Sequence, residues 1–278
     1  MRKLFLFFGI ILAGIGTFYL ALGDGLLHVT FLDVGQGDSV LVRTPRGQNI
    51  LIDGGPDWAV VTRLAEELPF GEATLDYVVL THADADHLAG LNYIFRRYRV
   101  GTLLTSANFS ETLTYERFLR EIQTENIPVQ VIDAGNDFVF EPGVSWDTLY
   151  PLEKTFTKNT NNNAQSVVGR LSYGANSFLL TGDLDTEGEK NILAQGFDVR
   201  SDLLKLAHHG SNTGNSALFL QTVQPRWAVV SVGANNSFGH PRAEVLARCA
   251  ELQIPLVRTD TQGSLHFISD GQALQYLP

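Results

Sequence analysis

The feature that most restricts how this chain can fold is a repeated one: apolar runs of β character stop abruptly in clusters of ionisable residues. LDYVVL runs into THADADH (residues 81–87), FLL into TGD (181–183), LLKL into AHHGS (207–211) and VVSVG into a loop ending FGHP (238–241). An earlier run, NILI, ends on Asp53. Five of the seven histidines, His82, His87, His208, His209 and His240, stand in these endings. Loops at strand ends are where a rigid scaffold presents functional groups. Each ending alone has an ordinary explanation: TGD as a turn, His-Pro as a loop, HADADH as a helix start whose acidic residues suit the dipole. Their joint occurrence points to chemistry.

The residue types and spacing suit metal ions. In an extended segment residues two apart point the same way, so His82 and Asp84 can approach one ion together, while Asp86 and His87 turn toward a neighbour. Imidazole and carboxylate are ordinary ligands for zinc, manganese and iron. Two cations close together need a shared anionic ligand, a part suited to Asp183, with His208 and His240 completing one shell each. A water between them would lose a proton near neutral pH and become the nucleophile. These are the parts of a binuclear hydrolase.

Composition narrows the class. Apolar residues make up 44% and charged residues 18% of the chain, as in a folded globular protein. The single cysteine excludes an internal disulfide framework and a cysteine-rich zinc site. Cys249 lies in PRAEVLARCAELQ, whose helical spacing predicts a buried core thiol. A net charge of −10 argues against gripping nucleic acid by bulk electrostatics. It does not exclude a nuclease, because bound divalent cations make a site locally positive. The basic cluster Arg96, Arg97 and Arg99 in FRRYRV reads as a solvated helix end. His28 and His266 sit inside strand patterns and read as ordinary strand residues.

After Met1, Arg2 and Lys3, residues 4–22 carry no charge. As a helix this run would span about 28 Å, close to the thickness of a bilayer core. It predicts an anchor, or a signal peptide cut near Ala21-Leu22-Gly23. With the basic residues kept inside, either form places the remainder outside the cytoplasm. Residues 1–23 are thus set apart from one domain, residues 24–278.

Within that domain LLHVTFLDV, DSVLVRTP and QNILIDGG form an antiparallel meander, followed by strands interleaved with helices. SVVGRLSYGANSFLLTGD predicts a hairpin turning at Gly174-Ala175-Asn176, and PLVRTD with SLHFISD a final hairpin. EKTFTKNTNNNAQ, residues 153–165, reads as a surface loop. Two sets of strands, each supplied with helices, imply two packed sheets with helices outside.

LIDGG, HADADHLAG, TGD, AHHGS and FGHP, in that order, resemble the metallo-β-lactamase-fold hydrolases. FLDVGQGDSVLVRTPRGQNILIDGG, the NNN–LLTGD region and KLAHHGSNT look like the extracellular hydrolase domain of ComEC-type DNA-uptake proteins, over residues 27 to about 270. The resemblance implies an α/β (α+β) fold, a four-layer αββα sandwich with its metal site at one edge of the sheets. It implies two divalent ions, zinc or manganese. His82, Asp84 and His208 would hold the first, Asp86, His87 and His240 the second, and Asp183 would bridge. Asp53 would orient the metal loop. His209 would contact the scissile group or ligate in place of His208, and Ser211 would face the substrate. Asp86 would also position the attacking water. Asp84 departs from the HxHxDH of most members, and the added carboxylate makes manganese credible beside zinc.

The activity expected is a metal-dependent phosphodiesterase outside the cytoplasmic membrane, with DNA as a candidate substrate and a competence channel as a candidate partner. The alternatives are hydrolysis of a cell-envelope phosphodiester, such as a phosphocholine or teichoic-acid substituent, and a non-catalytic module that binds DNA or a partner. One membrane segment at most separates the chain from full competence channels.

Overall fold

The computed structural model describes residues 23–107, 109–153 and 162–278. The anchor or signal expected over residues 1–23 lies almost wholly outside them. Among the described residues no helix is long and apolar enough to cross a membrane.

Two sheets form the centre. The first is built from β1 (Leu27–Phe31), β2 (Val40–Arg43), β3 (Asn49–Ile52), β4 (Thr74–Leu80), β5 (Arg99–Thr105) and β6 (Val129–Val131), joined by β14 (Leu265–Ser269) and β15 (Leu274–Leu277). Its order is β15-β14-β1-β2-β3-β4-β5-β6. The second contains β7 (Phe138–Glu141), β8 (Val144–Tyr150), β9 (Val168–Tyr173), β10 (Asn176–Leu180), β11 (Leu203–Lys205), β12 (Trp227–Val230) and β13 (Leu256–Arg258). Its order is β13-β12-β11-β10-β9-β8-β7. Each sheet changes from antiparallel to parallel pairing, at β3 in the first and at β10 in the second. The carboxyl ends of parallel strands are where such sheets place their sites.

Strand alternation makes the layers. In β2 and β3, Val40, Val42, Ile50 and Ile52 face the second sheet, where they join Trp146, Phe178 and Phe267 in a core between the sheets. Leu41 and Leu51 point the other way, onto the helices Ala59–Glu67, Leu91–Arg97 and Leu113–Thr124. Across the molecule, Leu179, Leu204 and Val230 face the helices Thr186–Gln195, Ala217–Val223 and Ala243–Glu251. Because both faces of every central strand are covered, the runs read as continuous apolar stretches. The order helix, sheet, sheet, helix agrees with the architecture that the sequence predicts.

Three local expectations change. The β9–β10 turn is shorter than predicted, Gly174-Ala175 alone, because Asn176 already pairs with Tyr173; Gly174 supplies the positive φ of +57° that the turn requires. PLVRTD and SLHFISD do not form a hairpin. β13 extends the second sheet beside β12, whereas β14 crosses to the first and pairs with β1. The final hairpin is β14–β15, so ALQYLP adds a strand that the sequence reading missed. Two short apolar runs around a polar turn look the same whether they share a sheet or not. Finally, of the surface loop expected over residues 153–165, residues 154–161 lie outside the described residues, and its end Asn162–Gln165 is not free surface: Asn163 and Gln165 are buried beside the strand-end loops.

Cys249 is a core residue, 1% exposed, and burial pushes its thiol up to about 11. At pH 8 only about a thousandth of it would be thiolate. The native protein is expected not to react with an aromatic disulfide reagent over an hour at pH 8, and to release one equivalent on unfolding in guanidinium. Rapid reaction of the native form would contradict this packing.

Candidate metal centre

The endings after β3, β4, β10, β11 and β12 converge on one edge. After β4 the chain leaves the sheet at Thr81 and bends at Ala83, and Asp84, at φ −80° and ψ 150°, opens a short helical turn, Ala85–Leu88. The change of direction puts His82 and Asp84 side by side, Nε2 to Oδ2 3.6 Å, and swings Asp86 and His87 to the other side. Close backbone contact holds this turn. Gly37 lies against it so tightly that a Cβ there would stand 2.2 Å from the Asp86 carbonyl, and the Asp38 amide donates to that carbonyl. Gly37, the second glycine of GQG, is what allows the β1–β2 loop to reach the turn.

Asp53 follows β3 in the left-handed region, at φ 60°. Its Oδ1 accepts from the Thr81 amide (2.8 Å), and its Oδ2 accepts from the Thr81 hydroxyl and His87 Nδ1, both at 2.7 Å. A neutral imidazole that donates from Nδ1 presents an unprotonated Nε2 elsewhere. His87 Nε2 faces Asp183 Oδ1 at 3.2 Å. His209 is held likewise: Nδ1 donates to the Ser231 carbonyl (3.0 Å), while Nε2 faces Asp86 Oδ2 (3.1 Å) and Asp183 Oδ2 (3.6 Å).

Asp183 is the hub. It is 2% exposed, and its Oδ2 also lies 3.8 Å from His208 Nε2 and 3.9 Å from His82 Nε2. Four imidazoles thus surround one carboxylate. Asp86, His87, Asp183 and His209 bring one ligand atom each within 4.8 Å of one another. Asp84, His82 and His208 flank that group. His240 does not enter it: its ring is 5.5 Å from His208 and 6.4 Å from His209, centroid to centroid. Asn236 fixes its backbone, accepting from the His240 amide and donating to its carbonyl.

The two histidines of AHHGS divide clearly. His209, expected either at the scissile group or as a ligand in place of His208, is buried inside the cluster, whereas His208 is the partly exposed one. Both take left-handed backbone, φ 51° and 53°, and this turn sends one ring inward and one toward the rim. His208 Nδ1 is held by Thr213 Oγ1 (3.0 Å) and Asn163 Nδ2 (3.3 Å). Ser211 does not face outward either. It is buried, and its Oγ accepts from the Thr213 amide and hydroxyl.

A buried clamp fastens this loop. Asn215 Oδ1 accepts from the Ala207 amide (2.8 Å), and Nδ2 donates to the carbonyls of Ala207 (3.0 Å) and Ser211 (2.9 Å). Asn215 itself sits at φ 61°, where asparagine is tolerated better than alanine. Asn215→Ala is therefore expected to cost about 2–4 kcal/mol, from roughly 1 kcal/mol per hydrogen bond plus the stranded backbone groups. Urea unfolding of the metal-stripped protein would measure it. A loss under 1 kcal/mol would mean that the loop is held by other contacts.

The electrostatics show what the site demands. Burial alone would depress the His87 and His209 imidazoles, yet both are raised, His87 by Asp183, Asp53 and Asp38, and His209 to about 10 by Asp183, Asp38 and Asp86. Asp183 and Asp86 are held well below the carboxylate range against a burial effect that would raise them. Burial and then the neighbouring imidazoles lower His240 to about 4, and burial lowers His208. The interior thus calls for positive charge, while the rim imidazoles are neutral at pH 7. His82 Nε2, His87 Nε2 and Asp183 Oδ1 are buried with no hydrogen-bond partner. Buried polar atoms of that kind are costly unless satisfied, and a divalent cation between them fits this nitrogen and oxygen donor set.

Several residues here went unassigned in the sequence. Asn162 Nδ2 donates to Asp84 Oδ1 (2.6 Å), and Asn163 reaches His208, so the end of the polar stretch read as a surface loop supports the centre. Asp38 and Lys205 lie beneath it as a buried ion pair. A lone charge in the apolar run LLKL was the available signal for the lysine.

Comparison with known proteins gives a consistent result. The family model for the metallo-beta-lactamase superfamily matches residues 32–233. "ComE operon protein 3" of Bacillus subtilis is 31% identical over 258 residues, covering 86% of this chain and 33% of that protein. "Competence protein ComA" of Neisseria gonorrhoeae is 35% identical over 241 residues, covering 86% of this chain and 32% of that protein. The chain thus spans about a third of the length of these curated relatives. Among solved structures, Zn(2+)-bound PqqB from Methylobacterium extorquens superposes with a TM-score of 0.57 at 13% identity, covering 83% of this chain and 97% of that one.

Proposed function

The chain belongs to the metallo-beta-lactamase superfamily, and we propose that it is a metal-dependent phosphodiesterase that works on two divalent ions, zinc or manganese, outside the cytoplasmic membrane. The observation that carries this reading is Asp183, a buried carboxylate with both oxygens turned to imidazole nitrogens from two different loops, one after β4 of the first sheet and one after β11 of the second. Asp86, His87 and His209 would hold one ion, and His82, Asp84 and His208 the other, with Asp183 shared and His240 closing the rim. Bound divalent cations supply polarisation of water and neutralise charge that develops on phosphoryl oxygens.

The chain's own residues would do the rest. Asp53 and the Ser231 carbonyl accept from Nδ1 of His87 and His209, which leaves Nε2 of each ring aimed inward as the nitrogen that would exchange its proton for a cation. Asp86 is partly exposed and reaches the same space, so its second oxygen can accept a hydrogen bond from a water and orient it. His208 and His240, neutral and at the mouth, line the approach for an anionic ester. The competence names of the relatives favour DNA as that ester. The uncharged run of residues 4–22 behind Arg2 and Lys3 favours an anchored or exported chain.

The test is turnover. The full chain, purified in detergent and stripped of metal, would be assayed with single-stranded DNA, duplex DNA and bis(p-nitrophenyl) phosphate after manganese or zinc is restored. Metal-dependent cleavage of the DNAs and the small ester supports the reading. Cleavage of the small ester alone moves the substrate to envelope phosphodiesters. Bound metal without turnover on any of them overturns the phosphodiesterase.

A further inference from the structure

Beneath the centre lies a lysine with no place in the chemistry above. Lys205 ends β11 and is 2% exposed. Its Nζ donates to the carbonyls of Gly182 (2.9 Å) and Leu206 (3.3 Å), and it is in direct ionic contact with Asp38 Oδ2. Asp38, equally buried, comes from the β1–β2 loop of the other sheet. Its Oδ1 is 3.4 Å from His209 Nδ1, and its Oδ2 is 3.8 Å from His87 Nδ1. Each of these rings has a nearer partner, Ser231 for His209 and Asp53 for His87. Asp38 is the carboxylate that both rings share as a second, electrostatic neighbour.

A buried ion pair is a poor device for stability alone, since well-packed apolar side chains in its place are often as good or better. Its position suggests another use. A carboxylate behind a metal-binding imidazole fixes the ring and raises its basicity. Here one carboxylate stands behind two rings that approach from different sheets, His87 after β4 and His209 after β11. Lys205 meanwhile bonds to the backbone of Gly182, next to Asp183, and of Leu206, at the start of AHHGS. Among the described residues it is the one buried lysine or arginine, and it lies amid Asp38, Asp53, Asp84, Asp86 and Asp183.

We propose that Asp38 and Lys205 are a positioning pair for the metal centre: Asp38 braces His87 and His209 together, and Lys205 aims Asp38 and ties it to the loops that carry Asp183 and His209. This rests on reading the cluster as a divalent-cation site. Removing either charge alone strands its partner in the interior, so single variants confuse stability with positioning. The informative protein is Asp38→Asn/Lys205→Met, in which both charges are gone.

The experiment measures two quantities on the stripped full chain in detergent: its melting midpoint without metal, and its dissociation constant for zinc by chelator competition. The double variant is expected to melt above either single variant, near the wild type. It should bind zinc about 10–100-fold more weakly, the usual cost of losing an outer partner of a ligand histidine. Wild-type affinity in the double variant would overturn the proposal and leave the pair a packing element. Asp38→Glu keeps both charges and moves the carboxylate by one methylene. It covers the case in which the double variant does not fold: weakened zinc binding supports bracing, and unchanged binding overturns it. A wild type that binds no zinc and no manganese overturns the metal-centre reading itself, a different result from either.

Discussion

Asp183→Ala is expected to abolish both metal retention and metal-dependent turnover. The side chain meets His87 at 3.2 Å through one oxygen and His209, His208 and His82 at 3.6–3.9 Å through the other. No neighbouring carboxylate can replace it. Asp86 already faces His209, and Asp84 is held by Asn162 beside His82. Alanine would leave four imidazoles around a space with no shared anion. The loss in affinity should exceed the roughly 10–100-fold that removal of an outer partner costs. Melting curves offer a readout independent of turnover. A cation at a hundredfold excess over its dissociation constant stabilises by about 2.7 kcal/mol, a shift the wild type should show and the variant should lack. A variant that keeps the shift would mean that the cation binds elsewhere.

The second large effect comes from a single atom. Asp53→Asn preserves shape, and its remaining oxygen can still accept from the Thr81 amide. The amide nitrogen, however, replaces the oxygen that accepts from His87 Nδ1 at 2.7 Å. Facing a donor, His87 turns to the other tautomer and carries its proton on Nε2, the nitrogen aimed at Asp183. A protonated Nε2 is not a ligand. The expected outcome is metal affinity lowered by about 10–100-fold or more, with the stripped protein still folded. Nitrogen-15 spectra of the histidine rings would show the exchange of tautomers directly. If the variant binds metal normally, His87 does not depend on Asp53 for its proton position.

Both predictions concern residues that stood out in the chain before any coordinates, and the reason is local. HADADH, TGD and AHHGS follow apolar strands, so their polarity breaks a pattern that is easy to see. The layers were legible for the same reason, because continuous apolar runs imply strands covered on both faces. The meander and the helices over 59–67, 113–124 and 243–251 follow from hydrophobic periodicity within the segment itself.

What escaped depended on distance in space. PLVRTD and SLHFISD look like partners but lie in different sheets, since pairing is decided by which strand edge is open and not by the turn between them. Which of His208 and His209 turns inward follows from two consecutive left-handed residues, a backbone choice that the letters HH do not carry. Asn162 and Asn163 look like loop residues until the fold sets them against Asp84 and His208. Asp38 and Lys205, 167 positions apart by their numbering, each read as an isolated charge.

The sequence by itself determined the class of fold, the strand-end origin of the centre and the types of its donor atoms, because periodicity and composition are properties of short segments. The tertiary structure alone decided which imidazole faces inward, which carboxylate is shared, and what stands behind each ring. Those depend on distances of 3–4 Å between loops from two sheets, and such distances exist only after the sheets have packed.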